Sequence, residues 1–184
     1  NVTVGSLPQA KRRPHFDTSV TYDTFPVLKK HQAMYDKLDR AREMFLAGGF
    51  NTYAGPADAS LVVAATGPSY LFAREALEIM GLTNQVGLLK IGATWPLPDR
   101  FILEHLKDAQ EILVVEEIDP VFERNLKTLV ADAGPEIGPK RFYGKVSGHI
   151  PAVGEVTPGL VARALARITG AAYDGMDRPY GRKA

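Results

Sequence analysis

With 184 residues, 45% of them hydrophobic and 23% charged, the chain has the composition of a globular domain able to bury a core. A formal net charge of +1 argues against a nucleic-acid or anionic-membrane binder, and the absence of cysteine excludes disulfides, thiolate nucleophiles and cysteine-bound zinc or iron–sulfur sites within it. No apolar run reaches the ~18 residues of a membrane helix, and residues 1–10 lack the charged-then-apolar order of a signal peptide, so a cytoplasmic setting is expected.

Residues 1–24 are rich in polar residues, Pro and Thr and read as an extended arm, whose basic run Lys11–Arg13 is read as solvated linker. A helix is predicted from about Pro26, with Leu28, Tyr35, Leu38 and Phe45 on a narrow stripe suited to docking on a surface, and Gly48-Gly49 as its stop. Residues 51–54 are predicted to form a short strand that turns through residues 55–58 into residues 60–66, an antiparallel start. Leu61-Val62-Val63-Ala64-Ala65 is continuously apolar, the mark of a strand covered on both faces. A helix over residues 69–80 follows, with Phe72, Ala76, Ile79 and Met80 as its stripe and Gly81 as its end.

The next strand is read over residues 86–91, and the next helix starts near Pro98-Asp99. A third apolar strand covers residues 112–118, after which Asp119 caps a helix with Pro120 as its first residue and Phe122, Leu126, Leu129 and Val130 as its stripe. Residues 134–140 read as a looser segment, residues 141–146 as a fifth strand, and residues 148–156 as loop. Thr157-Pro158 opens a last helix with Val161, Ala164, Leu165 and Ile168 inward and Gly170 as its end. Strands alternating with helices imply parallel pairing, right-handed crossovers and a three-layer α/β/α sandwich. The predicted organisation is an arm and docked helix over residues 1–49, an α/β domain over residues 50–170, and a linker tail over residues 171–184.

In such sheets, ligands bind where strands end. The loop Thr66-Gly67-Pro68-Ser69-Tyr70 has one glycine and a proline that removes a donor, so it reads as a tight turn with a serine cap rather than a phosphate cradle. Glu116-Glu117 with Asp119 is the densest carboxylate group; neighbouring strand residues face opposite sides, so the glutamates would not share a metal, and Glu117 is read as a crevice or interface residue. His15, His31, His105 and His149 have no ligand spacing, and no Gly-x-Ser-x-Gly elbow occurs. Trp95, beside Thr94, either packs over the strand ends or anchors a neighbouring domain. No catalytic, cofactor-binding or metal-binding residue is assigned; Gly67, Ser69, Tyr70, Thr94, Trp95, Glu117 and Asp119 stand as candidate interface or strand-end residues.

Three segments, Val-Val-Ala-Ala-Thr-Gly-Pro-Ser-Tyr at 62–70, Leu-Leu-Lys-Ile-Gly-Ala-Thr-Trp-Pro-Leu-Pro at 88–98 and Ile-Leu-Val-Val-Glu-Glu-Ile-Asp-Pro at 112–120, resemble the α subunits of indolepyruvate:ferredoxin oxidoreductases. Gly144-Lys145, Gly148-His149-Ile150-Pro151 and Gly154-Glu155-Val156-Thr157-Pro158 continue the same order, and Trp95 stands where that family commonly has tyrosine. These enzymes belong to the wider family of thiamine-diphosphate-dependent 2-oxoacid:ferredoxin oxidoreductases. The resemblance implies a transketolase C-terminal-like middle domain with a mixed, mostly parallel five-stranded sheet. It also implies neighbouring domains that bind the thiamine cofactor, a second β/γ-type subunit, and ferredoxin as acceptor. The parent enzyme is expected to hold thiamine diphosphate, Mg2+ and [4Fe-4S] clusters and to convert arylpyruvates to aryl-acyl-CoA. The Gly-Asp-Gly signature for magnesium diphosphate is missing from this chain, as are cluster cysteines, so an excised scaffold and interface domain is expected. A small-ligand or anion-binding regulatory module on the strand-end loops is the alternative, as is the equivalent domain of another 2-oxoacid oxidoreductase; an independent enzyme built on Glu117 has no partner nucleophile or ligand.

Overall fold

The structure is a computed structural model that describes residues 27–175. The arm read over residues 1–24, with Lys11–Arg13 and His15, and the last part of the tail lie outside the described residues. The chain divides into two units, Asn1–Lys37 and Leu38–Ala184. Helix α1 (Val27–Ala47) runs from the first into the second and buries none of its residues completely. Of its stripe, Leu38 and Phe45 belong to the second unit and are half-buried there.

In chain order the second unit continues with β1 (Thr52–Ala54), β2 (Leu61–Thr66), α2 (Ser69–Ile79), β3 (Gly87–Ile91), α3 (Asp99–Leu106) and β4 (Glu111–Val115). It ends with α4 (Val121–Asp132), the single turn α5 (Gly134–Ile137), β5 (Arg141–Tyr143) and α6 (Pro158–Thr169). One mixed five-stranded sheet forms in the order β1-β3-β2-β4-β5. β2 pairs in parallel on both sides, Val63 opposite Leu88 of β3 and Leu113 of β4, and β5 extends the parallel set with Phe142 opposite Ile112.

The period of two along β2 and β4 divides the core cleanly. Leu61, Val63, Ala65, Leu113 and Val115 face one side, where α2 (Ala73, Ala76, Leu77) and α6 (Val161, Ala162, Ala164, Leu165) pack. Val62, Ala64, Ile112 and Val114 face the other, against Ile102 and Leu106 of α3 and Phe122, Leu126 and Val130 of α4. Every one of these side chains is at most 6% exposed, and burying an aliphatic side chain of this size contributes roughly 1.5–3 kcal/mol. Right-handed crossovers account for the distribution: the chain leaves β2 for β3 in one direction, then returns across β2 to β4 and β5, which moves the connecting helices to the opposite face.

Several boundaries differ from the sequence reading. β1 is antiparallel, but its partner is β3, with Tyr53 opposite Leu89, because both edges of β2 are filled by parallel neighbours. Gly87 permits this pairing, since a Cβ there would run into the Tyr53 phenol ring. Asn51 ties the start of the strand by accepting from Gly92 N–H and donating to the Phe45 carbonyl, both at 3.0 Å. In α2 the inward stripe is Ser69, Ala73, Ala76 and Leu77, so Ile79 faces solvent, one position off the expected face. The looser segment after α4 contains the turn α5, and Tyr173 in the tail packs against the α2–α6 side of the core. The last helix starts where read, and Thr157 caps it, its Oγ1 accepting from Leu160 N–H at 3.2 Å.

Candidate functional site at the strand ends

β2 and β4 lie side by side, yet the helices that follow them pack on opposite faces, so their C-terminal ends border the point where the sheet changes direction. A cavity of about 540 Å3 occupies that position. Thr66, Gly67 and Pro68 line it from the end of β2, Thr94 and Trp95 from the loop after β3, and residues 116–119 from the end of β4. The first turns of α4 close it with Val121, Phe122 and Asn125.

Five of the seven residues singled out in the sequence meet there: Gly67, Thr94, Trp95, Glu117 and Asp119. Ser69 and Tyr70 do not. Ser69 is completely buried against the α2–α6 core, and its Oγ has no hydrogen-bond partner among the described residues. It is the first residue of α2 rather than a cap, because the cap position is held by Pro68. Tyr70 is half-buried, with Lys90 Nζ 5.5 Å from its ring centroid.

The carboxylates at the end of β4 have separate tasks. The strand ends at Val115, and Glu116 turns inward at 5% exposure. Its Oε2 accepts from Phe122 N–H and its Oε1 from Glu123 N–H, each at 2.8 Å. Glu116 therefore caps α4, the role the sequence reading gave to Asp119. Asp119 contributes only its backbone carbonyl, which accepts from Val121 N–H at 2.8 Å, while Pro120 occupies the cap position. Pro120, at φ −75° and ψ 57°, forms a tight γ-type turn just before the helix, and no side chain caps α4 from that position, so the cap comes from Glu116. Burial pushes the Glu116 carboxyl above its usual range; its two backbone donors and the charge of Lys145 pull the other way, and neighbouring Glu123 adds to the upward push.

Glu123 forms the second layer. It is fully buried, its Oε1 accepts from Lys127 Nζ at 2.6 Å, and its Oε2 accepts from Val146 N–H at 3.2 Å. Gly144 is required here, for a Cβ would stand 2.5 Å from Glu123 Oε2. The buried Lys145 donates to the Pro151 carbonyl at 3.1 Å, and Gly144 O accepts from the N–H groups of His149 and Ile150. The Gly144–Pro151 loop is thus fastened to α4 through Glu123, and Lys145 ties the loop to itself. The sequence reading missed this network, although Gly144-Lys145 was among the residues that carried the family resemblance.

At the mouth of the cavity the character changes. Trp95 is 69% exposed and Ile118 is 78% exposed, with Val121 beside them at 59%. Ile118 has φ of 60°, an unusual conformation for a β-branched residue. The peptide between Trp95 and Pro96 is cis.

These features bear on which ligands fit. Pro68, Pro98 and Pro120 hold the cap positions of α2, α3 and α4, the helices that start at the strand ends, and proline has no N–H to offer an anion. The next donors of α4 are already occupied by Glu116, and Glu117 and Asp119 add negative charge to the lining. The helix starts around this cavity are therefore poor cradles for a diphosphate. Among the described residues no group of three or more His, Asp or Glu is arranged to hold a metal ion, and no helix is long and apolar enough to cross a membrane.

No protein-family model matches the sequence. Curated relatives do. The chain is 32% identical to the indolepyruvate oxidoreductase subunit IorA of Pyrococcus abyssi over 183 residues, 92% of this chain and 26% of that protein. It is 32% identical to the subunit of the same name from Methanothermobacter thermautotrophicus over 145 residues, 77% of this chain and 22% of that protein. Among solved structures, a 2-oxoglutarate:ferredoxin oxidoreductase from Magnetococcus marinus, with 2-oxoglutarate, coenzyme A and succinyl-CoA bound, matches with a TM-score of 0.53. That match covers 74% of this chain and 23% of the other at 18% identity, which establishes the fold. The chain belongs to the 2-oxoacid:ferredoxin oxidoreductase family, of which it is one domain, spanning about a quarter of the length of the IorA subunits it matches.

Proposed function

We propose that this domain is a non-catalytic scaffold and interface element of a thiamine-diphosphate-dependent indolepyruvate:ferredoxin oxidoreductase. The observation that carries the proposal is the cavity at the strand ends: Glu116 seals its helix terminus from within, while Trp95 and Ile118 stand exposed at its mouth. That is a surface prepared for a protein contact, since exposed aromatic and apolar groups around a pocket serve as anchors.

In this reading residues 50–170 form the domain proper, and residues 1–49 and 171–184 connect it to what lies on either side. The parent enzyme, working in the cytoplasm, oxidatively decarboxylates arylpyruvates to aryl-acyl-CoA. Its thiamine diphosphate, Mg2+ and [4Fe-4S] clusters are carried by other domains, together with the contacts to a second β/γ-type subunit and to ferredoxin. This domain positions the thiamine-binding domains. The acidic lining and the proline caps weigh against the alternative of an anion-binding regulatory module.

Isothermal titration calorimetry of the 184-residue chain with thiamine diphosphate and Mg2+ tests the proposal. No saturable heat is expected. Micromolar binding would overturn the scaffold role, because it would require a cofactor cradle within these residues.

A further inference from the structure

The mouth of the strand-end cavity has a sign as well as a shape. Its lining contains Glu116, Glu117 and Asp119 and no lysine, arginine or histidine. Glu116 is consumed internally by the two backbone donors of α4. Glu117, half-buried, and Asp119, exposed, have no side-chain hydrogen bond or ion pair among the described residues. Beside them Trp95 offers most of its indole surface and Ile118 most of its side chain. Ile118 is held at a φ of 60°, a strained conformation for a β-branched residue, with its apolar group exposed.

Free carboxylates together with an exposed indole define a complementary chemistry. A guanidinium binds carboxylates through its planar donor fork and stacks on an indole face, and its methylene stem packs on apolar neighbours such as Ile118 and Val121. A lysine satisfies the charge but neither the fork nor the stack. An anionic segment is repelled. We infer that the cavity receives an arginine side chain, flanked by an apolar residue, from a polypeptide segment docked against this domain. The inference rests on the interface reading above and gives the contact a sign and an anchor.

Trp95 is the only tryptophan in the sequence, so its fluorescence reports occupancy of this cavity directly. The probes are acetylated, amidated tetrapeptides Leu-Arg-Phe-Ala and the versions with citrulline, lysine or glutamate in place of arginine, titrated to about 10 mM because so small a contact has millimolar affinity. The arginine peptide is expected to move the emission to the blue and shield Trp95 from acrylamide. The citrulline peptide is expected to bind about fivefold more weakly, and the glutamate peptide not to bind. The double variant Glu117→Gln, Asp119→Asn, whose substitutions lie at exposed or half-buried positions and spare the core, is expected to weaken the arginine peptide about threefold to tenfold. Equal binding of arginine and citrulline peptides would overturn the arginine assignment while leaving an apolar interface standing. Binding of the glutamate peptide, or no response to any peptide, would overturn it as well. A Trp95 response to thiamine diphosphate instead would remove the interface reading itself.

Discussion

Replacing Glu116 by alanine tests whether an internal carboxylate organises the cavity. In the native domain it satisfies the N–H groups of Phe122 and Glu123, each at 2.8 Å, from a position 5% exposed to solvent. Alanine leaves both donors unpartnered at the first turn of α4. A buried donor left without its acceptor costs about 1–3 kcal/mol, so the gross loss is about 2–6 kcal/mol. Two effects reduce it: the burial that raises the Glu116 carboxyl is relieved, and the adjoining cavity admits water to the freed donors. The net expectation is a loss of about 2–3 kcal/mol, and at ~2–4 °C per kcal/mol for a domain of this size the melting temperature falls by roughly 4–12 °C. Glutamine keeps one acceptor oxygen but points its NH2 at the second donor, so Glu116→Gln should lose about half as much. Urea unfolding followed by far-ultraviolet circular dichroism gives the magnitudes, and amide exchange at Phe122 and Glu123 gives the location. An alanine variant within about 0.5 kcal/mol of the parent, with both amides still protected, would refute the capping role.

Other perturbations probe the same region. The Glu116 carboxyl titrates above its unfolded value because burial dominates, so the folded state holds its proton at pH values where the unfolded chain has released it. Its contribution to stability is therefore greatest below the unfolded value of 4.5 and is lost as pH rises through the higher folded value. Measured against Glu116→Gln, the parent should gain stability as pH falls from neutral toward 4.5, and a relative loss would reverse the sign of the shift. Ser69→Ala removes a buried hydroxyl that has no partner among the described residues and should stabilise the fold by about 1 kcal/mol in thermal unfolding; destabilisation would show that the hydroxyl is bonded. Gly144→Ala drives a methyl group to within 2.5 Å of the buried Glu123 carboxylate and should cost about 1–3 kcal/mol, with exchange at Val146 N–H rising as its acceptor is displaced.

The layers of the fold were legible because apolar runs and helix stops are local signals. Val62-Val63-Ala64-Ala65 can be uninterrupted only in a strand covered on both sides, and Gly170 follows the last apolar residue of α6 in the left-handed conformation. Strand order is not a local signal. Nothing in residues 51–58 distinguishes pairing with the next strand from pairing with β3; the choice is made by Gly87, thirty-odd residues on, and by the competing claims of β3 and β4 on the edges of β2. Helix starts were misread for a related reason. A serine or aspartate next to proline has the composition of a cap, yet Ser69 is buried as part of the small-residue face of α2, and the cap of α4 comes from Glu116 rather than Asp119.

The cavity shows what residue types reveal about a site and what only geometry adds. Gly67, Thr94, Trp95, Glu117 and Asp119 were recognisable because loops at strand ends converge whatever their sequence. Their chemistry was not, because it depends on which carboxylate is spent inside the protein. Had Asp119 capped α4, Glu116 would have been a free acid in the pocket floor and a candidate for proton transfer. With Glu116 capping and Glu123 fastening the Gly144–Pro151 loop, the floor is committed to structure, and the free charge lies at the rim beside Trp95. Charge at a rim next to an exposed indole selects what docks there, whereas charge in a floor acts on what has entered. On the proposed interface reading, the placement of these carboxylates serves recognition between polypeptides rather than chemistry on a small substrate.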